Sequence, residues 1–489
     1  MRWIHNLAPP VASCALVLLS GCMVGPNYSR PSVPMAPAFK EAPPASFKEA
    51  DGWKVIQPSD AQLKGDWWEL FGDPQLNALE AKVDGANQTL KMADANFRAA
   101  RANIGYYRAA EAPTIGVAPS ISGVRDSANQ PYLSKTIVNN GEGNFTFPLE
   151  LDYEIDLWGR IHRQVTAVRE KAQASAADLA NTRLSLHAEL AIDYMEVRGA
   201  DAQLQLLNDT VKAYTESVSL TSDRYEGGVA PLSDLTQART QLDTARVLET
   251  DIAVARAQYE HAIAILIGVP PAEFTMPPTP LNLNSPKMPD VPGSLPSQLL
   301  ERRPDIAASE RQMAAANEQI GIAQAAFYPT LGLSAVAGLQ GTSALNWFSW
   351  PSRFWAVGPT FKETLFDAGR RRAVKTVASA NYDAAVANYR QTTLTAFQQV
   401  EDNLAALRIL EVEAQQQHES TDSAEQSLDL SQTRYEGGAD TYLQVITWQT
   451  AALSNERNDI DIMRRRMEAS VVLIKAVGGG WNTTQLPRL

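Results

Sequence analysis

The stretch FTFPLELDYEIDLWGR, residues 145–160, changes polarity at every step. Phe145, Phe147, Leu149, Leu151, Tyr153, Ile155 and Leu157 take the odd places; Thr146, Pro148, Glu150, Asp152, Glu154 and Asp156 take the even ones. A period of two puts every apolar side chain on one face of a strand, leaving the acids to the other. Phe145 to Ile155 is also near the roughly 9–11 residues that a tilted strand needs to cross a bilayer. Taken alone, the pattern fits a soluble sandwich equally well, with its apolar face turned inward.

Three weaker stretches alternate in the same way. Ile115, Val117, Pro119 and Ile121 interleave with Gly116, Ala118, Ser120 and Ser122, and Leu331, Leu333, Ala335 and Ala337 repeat the pattern. A fourth runs from Trp355 through Val357 and Phe361 to Leu365, with Pro359 and Glu363 among its apolar places. The strands are predicted at about 113–124, 143–156, 329–340 and 354–366. A sandwich needs more than two hairpins, and four strands cannot close a membrane barrel. Unpaired edges cannot sit in hydrocarbon, so membrane-spanning strands would require several chains to share one barrel.

The rest of the chain reads as rods, in two copies. RYEGG occurs at 224–228 and again at 434–438, and DLWGR, ending at Arg160, matches FDAGR, ending at Arg370. AARANIGYYRAAEAPTIGV from Ala99 pairs with AANEQIGIAQAAFYPTLGL from Ala315. Each copy has the order helix, strand, strand, very long helix, tight turn, helix. The long helices are predicted over 160–226 and 370–436, where no proline occurs and Gly199 is the only glycine. Val165, Val168, Ala172, Leu179, Leu186, Leu190, Tyr194 and Val197 hold one helical face. At 1.5 Å per residue such a rod reaches roughly 100 Å, a length that suits a tube of packed helices rather than a globule. Shorter helices are predicted at about 74–110 and 297–326 before the strands, and at 231–267 and 441–477 after the turns.

Residues 73–267 form the first copy and 297–478 the second, with 479–489 as a tail. The proline-rich segment 268–296 between them reads as an extended crossover. At the N-terminus, Arg2 precedes the apolar run VASCALVLLSGC, too short for a permanent membrane helix, so residues 1–21 read as a signal peptide. Its end, Leu19-Ser20-Gly21-Cys22, resembles the lipobox of bacterial lipoproteins, which implies lipid on Cys22. The next residue, Met23, is not the aspartate that would favour inner-membrane retention in enteric bacteria. Residues 22–72 then read as a lipidated, extended arm. The mature chain keeps one cysteine, with its thiol spent on lipid, so disulfides and thiolate metal sites are excluded.

The lipobox, the doubled helix–hairpin–helix–helix plan and the RYEGG turns together resemble the TolC-like outer-membrane efflux proteins. The GPNYSRP opening at 25–31 is similar to that of their OprM/NodT lipoprotein branch. The resemblance implies a mainly α fold with a membrane β-barrel sector, assembled as a homotrimer with a 12-stranded barrel and a 12-helix tunnel. It implies a passive outer-membrane duct for drugs, toxic compounds or metal ions, extending into the periplasm. The partners would be a periplasmic adaptor and an inner-membrane proton-driven pump of the resistance-nodulation-division (RND) type.

In that family the turns form a closed periplasmic aperture. The resemblance places Tyr225 and Tyr435 in the constriction, with Asp234 pairing with basic or hydroxyl groups between neighbouring coils and Arg239 as a weaker addition. Relatives often carry an acidic ring about nine and twelve residues after the second tyrosine. Gln444 and Thr447 occupy those places here, which leaves Tyr435, Asp440 and Gln444 to serve. Glu150, Asp152, Glu154 and Asp156 would line the lumen and favour cations, unless arginines from other strands neutralise them.

A net charge of −12 and the lack of a long basic run argue against nucleic acid. His5, His162, His187, His261 and His418 share no metal-like spacing, and no Walker loop or catalytic constellation emerges, so neither an enzyme nor a cofactor other than the lipid is expected. Two other readings use the same features. A coiled-coil spacer lipoprotein accounts for anchor and rods but not for the strands, and the outer duct of an ABC-driven type I secretion system accounts for all but the lipobox.

Overall fold

The computed structural model describes residues 23–33, 36–41, 66–125, 127, 141–281 and 296–489. Cys22 and the signal segment lie outside them. The chain first forms a short 3₁₀ helix, Trp67–Phe71, then α1 (Pro74–Ala86) and α2 (Gln88–Arg108). Three strands follow: β1 (Thr114–Val117), β2 (Ser120–Val124) and β3 (Glu142–Ile155). The rods α3 (Arg160–Glu226) and α4 (Leu232–Leu266) complete the first copy. The second contains α5 (Pro296–Arg302), α6 (Pro304–Ala325), β4 (Thr330–Gly341), β5 (Arg353–Lys362), α7 (Arg370–Glu436) and α8 (Tyr442–Ala476).

Both helices predicted ahead of the strands are broken, for different reasons. Asn87 divides the first: its side-chain oxygen accepts from the Leu90 amide at 3.0 Å, capping α2, while its amide donates to the Leu266 carbonyl at 2.9 Å. Pro304 divides the second, because a proline there has no amide to continue the ladder. The first strand is likewise interrupted at Ala118 and Pro119, although its register against β3 runs through from Val117↔Leu149 to Ser120↔Thr146. The last strand ends at Lys362, before Glu363, four residues short of the predicted 366.

The two hairpins merge into one antiparallel sheet, β1/β2–β3–β4–β5. Leu151 lies opposite Ile115 and Ala335, and Ala335 opposite Val357, so one face is apolar from edge to edge. That face is bare: Ile115 is 66% exposed, Val357 62% and Trp355 75%. At the rod end of the sheet the Trp158 and Tyr328 rings stack 4.7 Å apart, and the Trp158 indole donates to the Pro329 carbonyl.

The rods pair as α3 with α4 and α7 with α8, and α8 also packs on α3. Helix α6 wedges between α3 and α7, whereas α2 packs on α3 without a comparable contact to α7. The main core lies at mid-rod. Trp67, Trp68 and Phe71 meet Leu76 and Val83 of α1, Leu190 and Tyr194 of α3, Leu404 of α7 and Ile474 of α8 there. The end of the predicted extended arm is therefore a folded helix inside this core. Gly478, with φ +99°, closes α8 where a Cβ would lie 2.0 Å from the Arg302 carbonyl oxygen.

Higher up, the start of the arm is seated in a slot built around Arg163. This guanidinium is buried, pairs with Glu318 at 2.7 Å and donates to the Val24 and Pro26 carbonyls at 2.8 and 3.2 Å. Gly25 crosses Gly321 so closely that a Cβ on Gly25 would come within 2.6 Å of the Gly321 Cα.

Candidate functional site: the paired turns and the acid-faced strand

The two RYEGG turns have the same backbone. Gly228 (φ +71°) and Gly438 (φ +72°) take the left-handed conformation. Val229 and Ala439 donate back to the Arg224 and Arg434 carbonyls at 2.8 Å in each case. Their side chains differ. Tyr435 is buried, its ring 5.1 Å from that of Tyr442, in a cluster with Ala238 and Val445. Tyr225 is 41% exposed and joins no such cluster among the described residues.

Arg224, which sequence reasoning missed, links the copies. Its guanidinium carbon stands 4.5 Å from the centre of the Tyr435 ring, and it donates to the Tyr435 and Glu436 carbonyls at 3.1 and 3.3 Å. Its repeat mate Arg434 instead lies 3.5 Å from Asp440 in its own turn. The first copy has Ala230 where the second has Asp440. With no carboxylate at that place, Arg224 reaches across to the other turn. That difference was legible in the sequence.

Burial, and after it the Asp234 carboxylate, pushes the Tyr435 phenol up from its ordinary pKa, while Arg224 opposes the shift. Asp234 thus sits within electrostatic reach of the buried tyrosine, and its carboxylate accepts from the adjacent Ser233 hydroxyl at 3.3 Å. Asp440 also accepts from the Thr441 amide at 2.8 Å. Gln444 and Thr447 are exposed, and the Thr447 hydroxyl is turned back to the Leu443 carbonyl. Arg239 is exposed.

The strand acids divide into two pairs. Glu154 is held by Arg160, at the head of α3, through contacts of 2.7 and 3.1 Å. Asp156 lies just past the strand and accepts from the His162 amide at 2.8 Å, where it complements the positive end of α3. The arginine that balances Glu154 therefore sits on the rod. Glu150 and Asp152 are exposed, and their carboxylates engage no side chain among the described residues. They face small or uncharged residues: Glu150 lies opposite Gly116 and Val336, and Asp152 opposite Thr114 and Ser334.

The site thus combines a bare apolar sheet face, two edges unpaired among the described residues, and paired rods ending in interlocked turns. The chain is 32% identical over 467 residues to the probable efflux pump outer membrane protein TtgC of Pseudomonas putida, covering 95% of this chain and 94% of that one. It is 30% identical over 466 residues to the outer membrane protein OprJ of Pseudomonas aeruginosa, with 95% and 94% covered. Among solved structures, the outer-membrane channel OprN superposes with a TM-score of 0.85 at 27% identity, covering 94% of this chain and all of that one. The open-state MtrE channel of Neisseria gonorrhoeae superposes with a TM-score of 0.81 at 25% identity, covering 94% and 98%. The family model for outer membrane efflux proteins matches residues 81–269 and 295–479, one segment for each structural copy, and the chain belongs to that family.

Proposed function

We propose that three copies of this chain close a single conduit through the outer membrane, gated at the paired turns and anchored by lipid on Cys22. The observation that carries this reading is the sheet: four strand positions, an apolar face left bare, and free edges at β1/β2 and β5. Such edges would be untenable in hydrocarbon and are satisfied by pairing β5 of one copy with β1/β2 of the next. Three sheets then make a twelve-stranded barrel.

The rods support the same number. Helix α6 fills the place between α3 and α7, while α2, its repeat mate, has only α3 beside it. The vacant place suits α7 of the adjacent copy. Met92 and Tyr106 on α2, and Val374 and Val377 on α7, are all at least half exposed and would be covered there.

The duct is passive and has no catalytic role, so the driving force comes from an adaptor and an inner-membrane RND pump. Relatives bear names that specify toluene, solvent and antibiotic efflux, which supports small apolar and amphipathic cargo. Planar-bilayer recording tests the proposal. The purified protein should give discrete, mostly closed channels; a protein that inserts but never conducts would refute the duct.

A further inference from the structure

The loop joining β4 to β5, residues 342–352, is unlike the rest of the chain's surface. It reads TSALNWFSWPS and carries no charge. Leu345 is 95% exposed, Trp350 77% and Phe348 67%. The loop folds back on the apolar side of the sheet: Trp347 packs 5.4 Å from Phe145, and Phe348 6.1 Å from Phe147. Both phenylalanines belong to the apolar face that continues through Leu149 and Leu151.

The loop also pairs several of its polar groups internally. The Ser349 and Ser352 hydroxyls donate to the Asn346 carbonyl at 2.7 and 2.6 Å, and the Asn346 amide donates to Ser343 at 3.2 Å. Arg353, the first charge after it, stands 4.3 Å over the Trp350 ring and donates to the Trp350 carbonyl. An uncharged, internally bonded turn with projecting aromatics and a cation at its edge has the chemistry of a headgroup boundary.

We propose that this loop is a membrane collar, seating Leu345, Phe348 and Trp350 in the lipid interface of the outer leaflet. The inference rests on the sheet's apolar face being the lipid face, and continuity with that face identifies the occupant. The spacing agrees. From Phe145 to Ile155, a strand tilted by about 40° rises roughly 25 Å, the height of a barrel's apolar band. The collar lies at one end of that span, and the stacked Trp158 and Tyr328 lie at the other. The loop thus extends the aromatic set that Phe145, Phe147 and Trp355 begin at that end of the strands.

Nitroxide labels on the full-length protein in phospholipid vesicles test the collar. Leu345→Cys and Phe348→Cys would be labelled singly, with Val357→Cys as the lipid-face reference and unmutated protein as background. Collisions with oxygen and with a water-soluble nickel chelate would be measured for each. The collar predicts an oxygen-to-nickel ratio above one at 345 and 348, as at 357. Nickel-dominated relaxation at 345 and 348 with lipid-like behaviour at 357 would overturn it, as would protection from both reagents, which marks protein contact. Nickel-dominated relaxation at 357 as well would instead overturn the lipid-face reading on which the collar depends.

Discussion

Arg224 and Tyr435 stand at the ends of different long helices, yet the guanidinium of one lies 4.5 Å from the ring centre of the other. A cation–π contact is worth about 0.5–2 kcal/mol, and hydrogen bonds from a charged donor about 1.5–3 kcal/mol. This side chain therefore ties the tips of both repeats together within a subunit, beside the packing of Ala238 on Tyr435 and Tyr442. Arg224→Ala should raise the open probability in planar bilayers, and Tyr435→Ala should do the same. Tyr225→Ala, which removes an exposed ring, should have the smaller effect unless its contacts are with the neighbouring copy. Equal effects from all three would deny Arg224 its linking role.

The divided acids predict a graded selectivity. Glu150→Gln with Asp152→Asn should move the reversal potential in a salt gradient towards that of a non-selective pore. Glu154→Gln combined with Arg160→Gln should move it little, because that pair carries no net charge. A larger effect from this double replacement than from the outer pair would contradict the lumen assignment.

Glu456 of α8 has its pKa raised to about 7, first by burial and then by the charge and hydrogen bond of Glu425 on α7. A carboxyl whose folded pKa exceeds its unfolded value of 4.5 stabilises the fold fully below that value, and loses this contribution as pH rises through about 7. The α7–α8 pair should accordingly exchange amide hydrogens faster at pH 8 than at pH 5.5, after correction for intrinsic rates. Glu456→Gln keeps a hydrogen-bonding group without the charge and should flatten that difference.

Arg163 makes the strongest stability prediction. Removing one partner of a buried ion pair costs about 3–5 kcal/mol, because the other charge is left without compensation. Arg163→Ala should lower the thermal midpoint and expose the arm near Val24 to protease. Arg163→Ala combined with Glu318→Gln should recover part of the loss in midpoint but not the protection of the arm, whose carbonyls would still lack their donor.

The long helices were legible because two proline-free segments of 67 residues leave little alternative, and the sheet because its apolar places fall at strict intervals of two. What escaped the sequence was chemistry between distant segments. Asn87 looks like any polar residue in a helix until the Leu266 carbonyl lies beside it. Arg163 looks like a surface charge until the arm and Glu318 close over it. The identical turns suggested equivalent tyrosines, and only packing separates the buried Tyr435 from the exposed Tyr225.

The central claim is that one chain supplies a third of a closed conduit. Native mass spectrometry of protein extracted from outer membranes in mild detergent tests it most directly. The account predicts particles of three chains, each carrying the mass of a lipid modification. A stable particle of a single chain, with both edges of its sheet left free, would contradict it.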